Sequence, residues 1–298
     1  MLRLVLPVIA GILAGAWVLD EVVMRAFVMP SRSAGAYKIQ RMFEEEDPTE
    51  VAILGSSRAA GCYVPDLINR NAFNYGIERT EHGFVEVMLE RELRKARTTP
   101  IIVNWDYEFF RTEVGNMAHF VPNLHHAEIS AYARGEMHWY HRVPGLRFFG
   151  LYGEYFKTRM GERSTGNVRS DGGVFDNTPA STERFSRMIT RRFRSRDVWT
   201  DPTGVDSTFL RLLRSSSRPI VIVVAPYHAS YFANYKGMEA ATEYLRMLDA
   251  LPNITVLDFG RYPLPDDHFF NTSHVNYRGA QVFSAALGEE WKRLFPVR

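Results

Sequence analysis

Short apolar runs recur along the chain, and stretches with helical spacing follow most of them. Val51–Leu54, Ala72–Tyr75, Ile101–Trp105, Ile220–Ala225 and Ile254–Phe259 are four to six residues long and mostly apolar, which predicts strands. Glu81–Arg97 places Phe84, Val85, Met88, Leu89 and Leu93 on one helical face, and Thr208–Leu213 and Ala240–Leu251 follow the same period. Tyr277–Leu294 closes the chain with Val282, Phe283, Ala286, Leu287, Trp291 and Leu294 along one side. Strands that alternate with helices predict an α/β three-layer sandwich around a mainly parallel five-stranded sheet. Its ligand crevice is expected at the carboxyl ends of the strands.

Two regions break the alternation. Leu4–Leu19 holds sixteen residues without a charge, preceded by Arg3. We read residues 1–30 as an uncleaved signal anchor that places the remaining chain outside the cytoplasm. A cleaved signal peptide and a buried globular helix are the alternatives. Residues 31–50 read as a polar connector ending in Glu44-Glu45-Glu46-Asp47-Pro48, and 51–298 as the α/β domain. Within that domain, about 111–200 reads as a long insertion rich in Tyr, Phe, His, Arg and Gly, shaping a cleft or docking a partner. Trp139-Tyr140 is expected in its core, and Ser170-Asp171-Gly172-Gly173-Val174-Phe175 is part of it.

Composition narrows the classes. The chain has 298 residues, 46% of them hydrophobic, enough for a packed core. A formal net charge of +2 gives no case for a nucleic-acid partner. The basic stretch Arg187–Arg196 is local and reads as a solvated helix face, with an anionic polymer or lipid head group as the alternative. Cys62 is the single cysteine, so neither a disulfide framework nor a thiolate metal site is expected. His125-His126 has no carboxylate at ligand spacing in the sequence, so we expect no metal and no cofactor.

Candidate chemistry sits where the strands end. Val51-Ala52-Ile53-Leu54 runs into Gly55-Ser56-Ser57-Arg58, a turn that can present a hydroxyl or simply bind an anion. Beyond the fifth strand, His274-Val275-Asn276-Tyr277-Arg278-Gly279 brings a histidine to the start of the last helix, with Asn276 a natural N-cap. A serine becomes a nucleophile when a base lies within hydrogen-bond reach and a third group orients that base. Pro226-Tyr227-His228, after the fourth strand, faces the same crevice and reads as an ordinary loop, with binding of an acyl group or its acceptor as the alternative.

These blocks, in this order, resemble the SGNH/GDSL hydrolase superfamily, and in it the membrane-anchored extracytoplasmic branch with the D-alanine transfer and alginate O-acetylation proteins. Ile53–Arg58 stands at the nucleophile block, Asn74-Tyr75-Gly76 at the glycine block, Val103–Tyr107 at the third and Asn271–Gly279 at the histidine block. The resemblance covers about 51–110 and 215–295 and fits a flavodoxin-like sheet. It implies Ser57 as nucleophile, His274 as base, and Ser57 N–H, Gly76 N–H and the Asn104 side chain as oxyanion donors. Two positions depart from the family. Asn104-Trp105-Asp106 replaces Gly-x-Asn-Asp, which puts an anionic Asp106 near the expected oxyanion. Asn271 replaces the aspartate of Asp-x-x-His, with Asp266 and Asp267 as possible substitutes if their loop folds back.

The expected function is an acyl esterase or O-acyltransferase acting on a cell-envelope polysaccharide or similar hydroxylated acceptor, held at the inner membrane on its periplasmic side. A polytopic membrane acyltransferase is a conceivable partner. The alternative, motivated by Asn271, is a catalytically degenerate binding or assembly subunit of an envelope-acylation system.

Overall fold

In the computed structural model the described residues are 2–80, 82–107, 116–165, 171–173, 207–233, 235 and 237–296, with Glu183 and Arg187 singly. In chain order the helices are α1 (Leu2–Val23), α2 (Gly35–Glu44), α3 (Ser57–Cys62), α4 (Pro65–Ile68), α5 (His82–Leu93) and α6 (Met117–Phe120). They continue with α7 (Ala127–Tyr132), α8 (Tyr152–Thr165), α9 (Ser207–Ser215), α10 (Ala229–Phe232), α11 (Met238–Asp249) and α12 (Tyr277–Leu294). The strands are β1 (Val51–Leu54), β2 (Ala72–Asn74), β3 (Ile101–Asn104), β4 (Ile220–Val224), β5 (Ile254–Asp258), β6 (Phe269–Asn271) and β7 (His274–Val275). The chain forms two compact units, residues 1–44 with 114–170, and 45–113 with 171–298.

The second unit carries the sheet. All five long strands are parallel, in the order β2-β1-β3-β4-β5, with Ile53 beside Ile102, Val103 beside Ile222 and Ile222 beside Val256. Every residue of β1, β3 and β4 is buried, as a parallel sheet covered on both faces requires. β5 buries only Ile254 and exposes Asp258, which marks it as an edge. One layer comes from α3, α4 and α12, whose Ala59, Cys62, Ile68, Phe283, Leu287 and Trp291 pack on Val51, Ile53, Ile102, Val221 and Val223. Each such large apolar side chain contributes about 1.5–3 kcal/mol by leaving water. Helices α5, α9 and α11 form a second layer, in which Phe209 meets the rings of His82 and Trp105, and Trp105 stacks on Tyr244. β6 and β7 make a small antiparallel hairpin outside the main sheet.

The first unit begins with α1. Val5–Val28 is long and apolar enough to cross a membrane, and only 6% of its most apolar window is buried by protein. Past α1, a π-helical turn at Met24–Val28 and α2 pack with α6 and α8 around Val23, Val28, Ala36, Val121, Phe148 and Tyr155. The expected polar connector therefore contains a helix. Ala36, Ile39, Met42 and Phe43 are buried along one side of α2, a stripe that the flanking charges conceal in the sequence. Of the expected insertion, residues 116–165 carry α6, α7 and α8. The stretch after Gly173, with the basic cluster from Arg187 to Arg196, lies outside the described residues apart from Glu183 and Arg187, which pair at 3.6 Å. Trp139 is not in a core: it is 73% exposed.

Candidate active site

Local geometry at the end of β1 sets up the serine. Gly55 adopts φ +150°, and a Cβ there would stand 2.7 Å from Ala59 Cβ and 2.9 Å from Asn104 Cβ, so the sharp turn into α3 needs glycine. Ser56 is the N-cap, its hydroxyl accepting the Arg58 N–H at 3.3 Å. Ser57 opens α3, half-buried at the carboxyl end of the sheet. Its Oγ lies 2.9 Å from Nε2 of His274, across 217 residues of sequence.

The β6–β7 hairpin fixes the histidine. Asn271 and His274 are register partners across it, which holds the amide beside the ring. Asn271 Oδ1 accepts the N–H of Ser273 at 2.8 Å and of His274 at 2.9 Å, and stands 3.1 Å from His274 Nδ1. The Ser273 hydroxyl is also 3.1 Å from Nδ1. An acceptor at Nδ1 favours the tautomer that leaves Nε2 free to take a proton from Ser57. Asn276 caps α12 through the Gly279 N–H at 3.2 Å and donates to the Asp267 carbonyl at 2.6 Å, tying the hairpin to the helix.

Beneath the two motifs lies a buried charge network. Asp106 accepts from Ser56 Oγ, takes Asn104 Nδ2 at 2.8 Å and pairs with Arg58 Nε at 2.7 Å. Arg58 also donates to the carbonyls of Ser273 and, at 2.6 Å, Ala225, and its guanidinium lies 3.4 Å above the Tyr227 ring. Burial alone would lower the Arg58 pKa. Tyr227 and Asp106 outweigh it and hold the group charged. The carboxylate that the sequence placed against the oxyanion thus has its own cation. Arg58, to which the sequence reading gave no role, joins the serine helix to the histidine hairpin. A lone arginine in the otherwise small and apolar run Ser57-Arg58-Ala59-Ala60-Gly61-Cys62 was the available signal.

The expected oxyanion donors are differently placed. Gly76 N–H is accepted by Asn74 Oδ1 at 2.9 Å. A Cβ on Gly76 would meet Ala60 N at 2.3 Å, so its service is close approach of the turn after β2 to α3. The Asn104 side chain is buried, donating to Asp106 and accepting from the Tyr63 hydroxyl at 2.7 Å. Ser57 N–H, first in α3, has no intrahelical acceptor by position.

The remaining candidates spread out. Tyr227 is buried under Arg58, and its hydroxyl accepts the Tyr107 N–H at 3.1 Å. His228 caps α10 through Nδ1 and reaches Asp266 with Nε2 at 3.1 Å, while its N–H joins the Thr272 carbonyl. Asp267 faces Arg278 at 3.9 Å on the surface. The two acids weighed as substitutes for Asn271 thus pair with His228 and Arg278. In the first unit the fold brings Glu44 to His125 and His126, with Oε1 3.7 and 4.0 Å from their Nε2 atoms. That spacing suits ion pairs better than tetrahedral zinc, whose ligand atoms lie about 3.4 Å apart.

No family model and no curated protein matches the chain. Among solved structures, one from Streptococcus pneumonia described as a "putative platelet activating factor" is similar at 10% identity and a TM-score of 0.40, covering 92% of this chain and 98% of that one. What is established is an α/β protein with a five-stranded parallel sheet and an N-terminal apolar helix.

Proposed function

We propose that the protein is a serine acyl esterase or O-acyltransferase of the SGNH type, anchored by α1 and acting outside the cytoplasm on an acylated cell-envelope glycan or similar acceptor. The contact of Ser57 Oγ with His274 Nε2 at 2.9 Å carries this reading. In the forward step Oγ forms a bond to the acyl carbon while Nε2 takes its proton. As the tetrahedral adduct collapses, the carbon–oxygen bond to the leaving alcohol breaks and His274 returns that proton to it. Water or a sugar hydroxyl then repeats the sequence on the acyl-serine, giving hydrolysis or transfer. The order of blocks around Ser57, Gly76, Asn104 and His274 supports the family reading.

Labelling with a fluorophosphonate and acylation by p-nitrophenyl acetate test the proposal. Both are expected at Ser57, lost in Ser57→Ala and reduced by about 10³-fold or more in His274→Gln. No labelling by either reagent overturns it.

A second reading is favoured by one observation: Gly76 N–H and the Asn104 amide already have partners inside the protein. A binding or assembly subunit that kept the fold would need neither at an oxyanion. In cells, envelope acylation that survives Ser57→Ala and fails only on deletion of the protein selects this reading.

A further inference from the structure

Exposed apolar side chains in the first unit are not confined to α1. Residues 139–160 carry Trp139 at 73% exposure, Phe149 at 60% and Phe156 at 57%, with Leu146 and Met160 also in the open. Along α8, Tyr152, Phe156 and Met160 recur every fourth residue and form an outward stripe. Tyr155, between them, is buried with Val23, Val28 and Phe148. An apolar stripe opposite a buried face is costly in water and suits a helix lying in a membrane surface.

Contacts with α1 give the depth. A Cβ on Gly145 would stand 2.7 Å from Ala16 Cβ, and the Gly145 N–H donates to Asp20 Oδ2 at 2.9 Å. Ala16 belongs to the uncharged stretch Leu4–Leu19, which at about 1.5 Å per residue covers about 24 Å of a hydrocarbon layer about 30 Å thick. The turn around Gly145 therefore meets α1 before its apolar stretch ends. Asp20 is only 4% exposed, with its Oδ2 held by the Gly145 N–H, so the end of α1 is built into this unit. The segment also closes its own backbone bonds, Leu146 N–H to Val143, Phe149 N–H to Leu146 and Leu151 N–H to Phe148, as a segment leaving water must.

We infer that residues 139–160 form a collar seated in the membrane–water interface beside α1, binding phospholipid at the boundary of head group and acyl chain. Trp139 and Tyr152 are the residue types that settle at that boundary. The inference rests on α1 being a membrane anchor and not on the chemistry of Ser57.

The test uses the full chain in vesicles of phosphatidylcholine and phosphatidylglycerol. Native Cys62 is fully buried, so single cysteines elsewhere take a fluorescent label selectively. Labels are placed at Phe149→Cys and Phe156→Cys, at Ile12→Cys inside α1, and at Ala131→Cys on the exposed side of α7. Labels at 149 and 156 are expected to be quenched severalfold more by shallow lipid-borne nitroxide, and severalfold less by aqueous iodide, than the label at 131. Iodide quenching of 149 and 156 equal to that of 131, with 12 still quenched from the lipid, overturns the collar and leaves this face to a protein partner or solvent. A label at 12 that lipid nitroxide does not reach overturns the anchor and the collar together. Fluorophosphonate labelling of Ser57 is scored separately, so loss of the esterase reading is distinct from either result.

Discussion

Asn271 turns its carbonyl oxygen, and not its amide nitrogen, toward the imidazole of His274. Two backbone N–H groups donate to that same oxygen at 2.8 and 2.9 Å, which fixes the orientation of the amide. An aspartate to asparagine change is damaging in a triad chiefly when it imposes the wrong tautomer. Here the hairpin removes that hazard, and the missing element is the negative charge that would steady the imidazolium.

Asn271→Asp is therefore a gain-of-function variant on the esterase reading. A charge-assisted hydrogen bond exceeds a neutral one by about 1–2 kcal/mol, so acylation by p-nitrophenyl acetate should rise about tenfold. The new carboxylate favours protonated His274, so the acidic limb of the pH–rate profile should move to higher pH. Stopped-flow acylation across pH measures both, and an unchanged rate and profile counts against His274 as the base.

Arg58 and Asp106 should behave as a coupled pair. Arg58→Met leaves a buried carboxylate uncompensated and is expected to cost about 3–5 kcal/mol. Arg58→Met with Asp106→Asn removes the charge as well as its partner and should recover much of that loss. Denaturant unfolding of the two single variants and the double variant gives the coupling directly.

Gly76→Ala forces a methyl group against the Ala59–Ala60 backbone. Overpacking of this kind costs about 1–3 kcal/mol, and the element it displaces is the helix that starts with Ser57. Fluorophosphonate labelling should fall by more than the loss of stability explains. Labelling at the wild-type rate would mean that α3 yields without moving the hydroxyl.

Cys62 should be inert in the native protein. Burial is the main cause that pushes its thiol up, with Arg58 and a backbone contact to Val275 opposing it. At pH 8 maleimide should leave the folded protein unmodified and react fully in strong urea, as read by mass spectrometry.

Much of the sheet was legible because strands buried on both faces leave unbroken apolar runs. Val51–Leu54 was read to the residue, and the ends of Ala72–Tyr75, Ile101–Trp105, Ile220–Ala225 and Ile254–Phe259 overran by one. Short elements were not legible. α3 and α4 are too brief for a helical period, and the β6–β7 hairpin, which sets Asn271 beside His274, has only two register pairs with a shift between them. The side chains picked from the motifs, Ser57, His274 and Asn271, do meet. Arg58 escaped because nothing in a linear sequence says that Asp106, Ser273 and Ala225 surround it.

The sheet order has a consequence for how the chain assembles. β3 finds its outer neighbour only in β4, more than a hundred residues later, so Ile101–Asn104 waits with one edge unpaired while all of 114–170 is made. Pairings so distant in sequence form slowly, and an unpaired apolar edge invites association with other chains. Newly made protein emerging from the ribosome therefore passes through a stage in which residues 1–44 and 114–170 are all present while β3 still lacks its outer neighbour. That interval is where a chaperone would have most to protect.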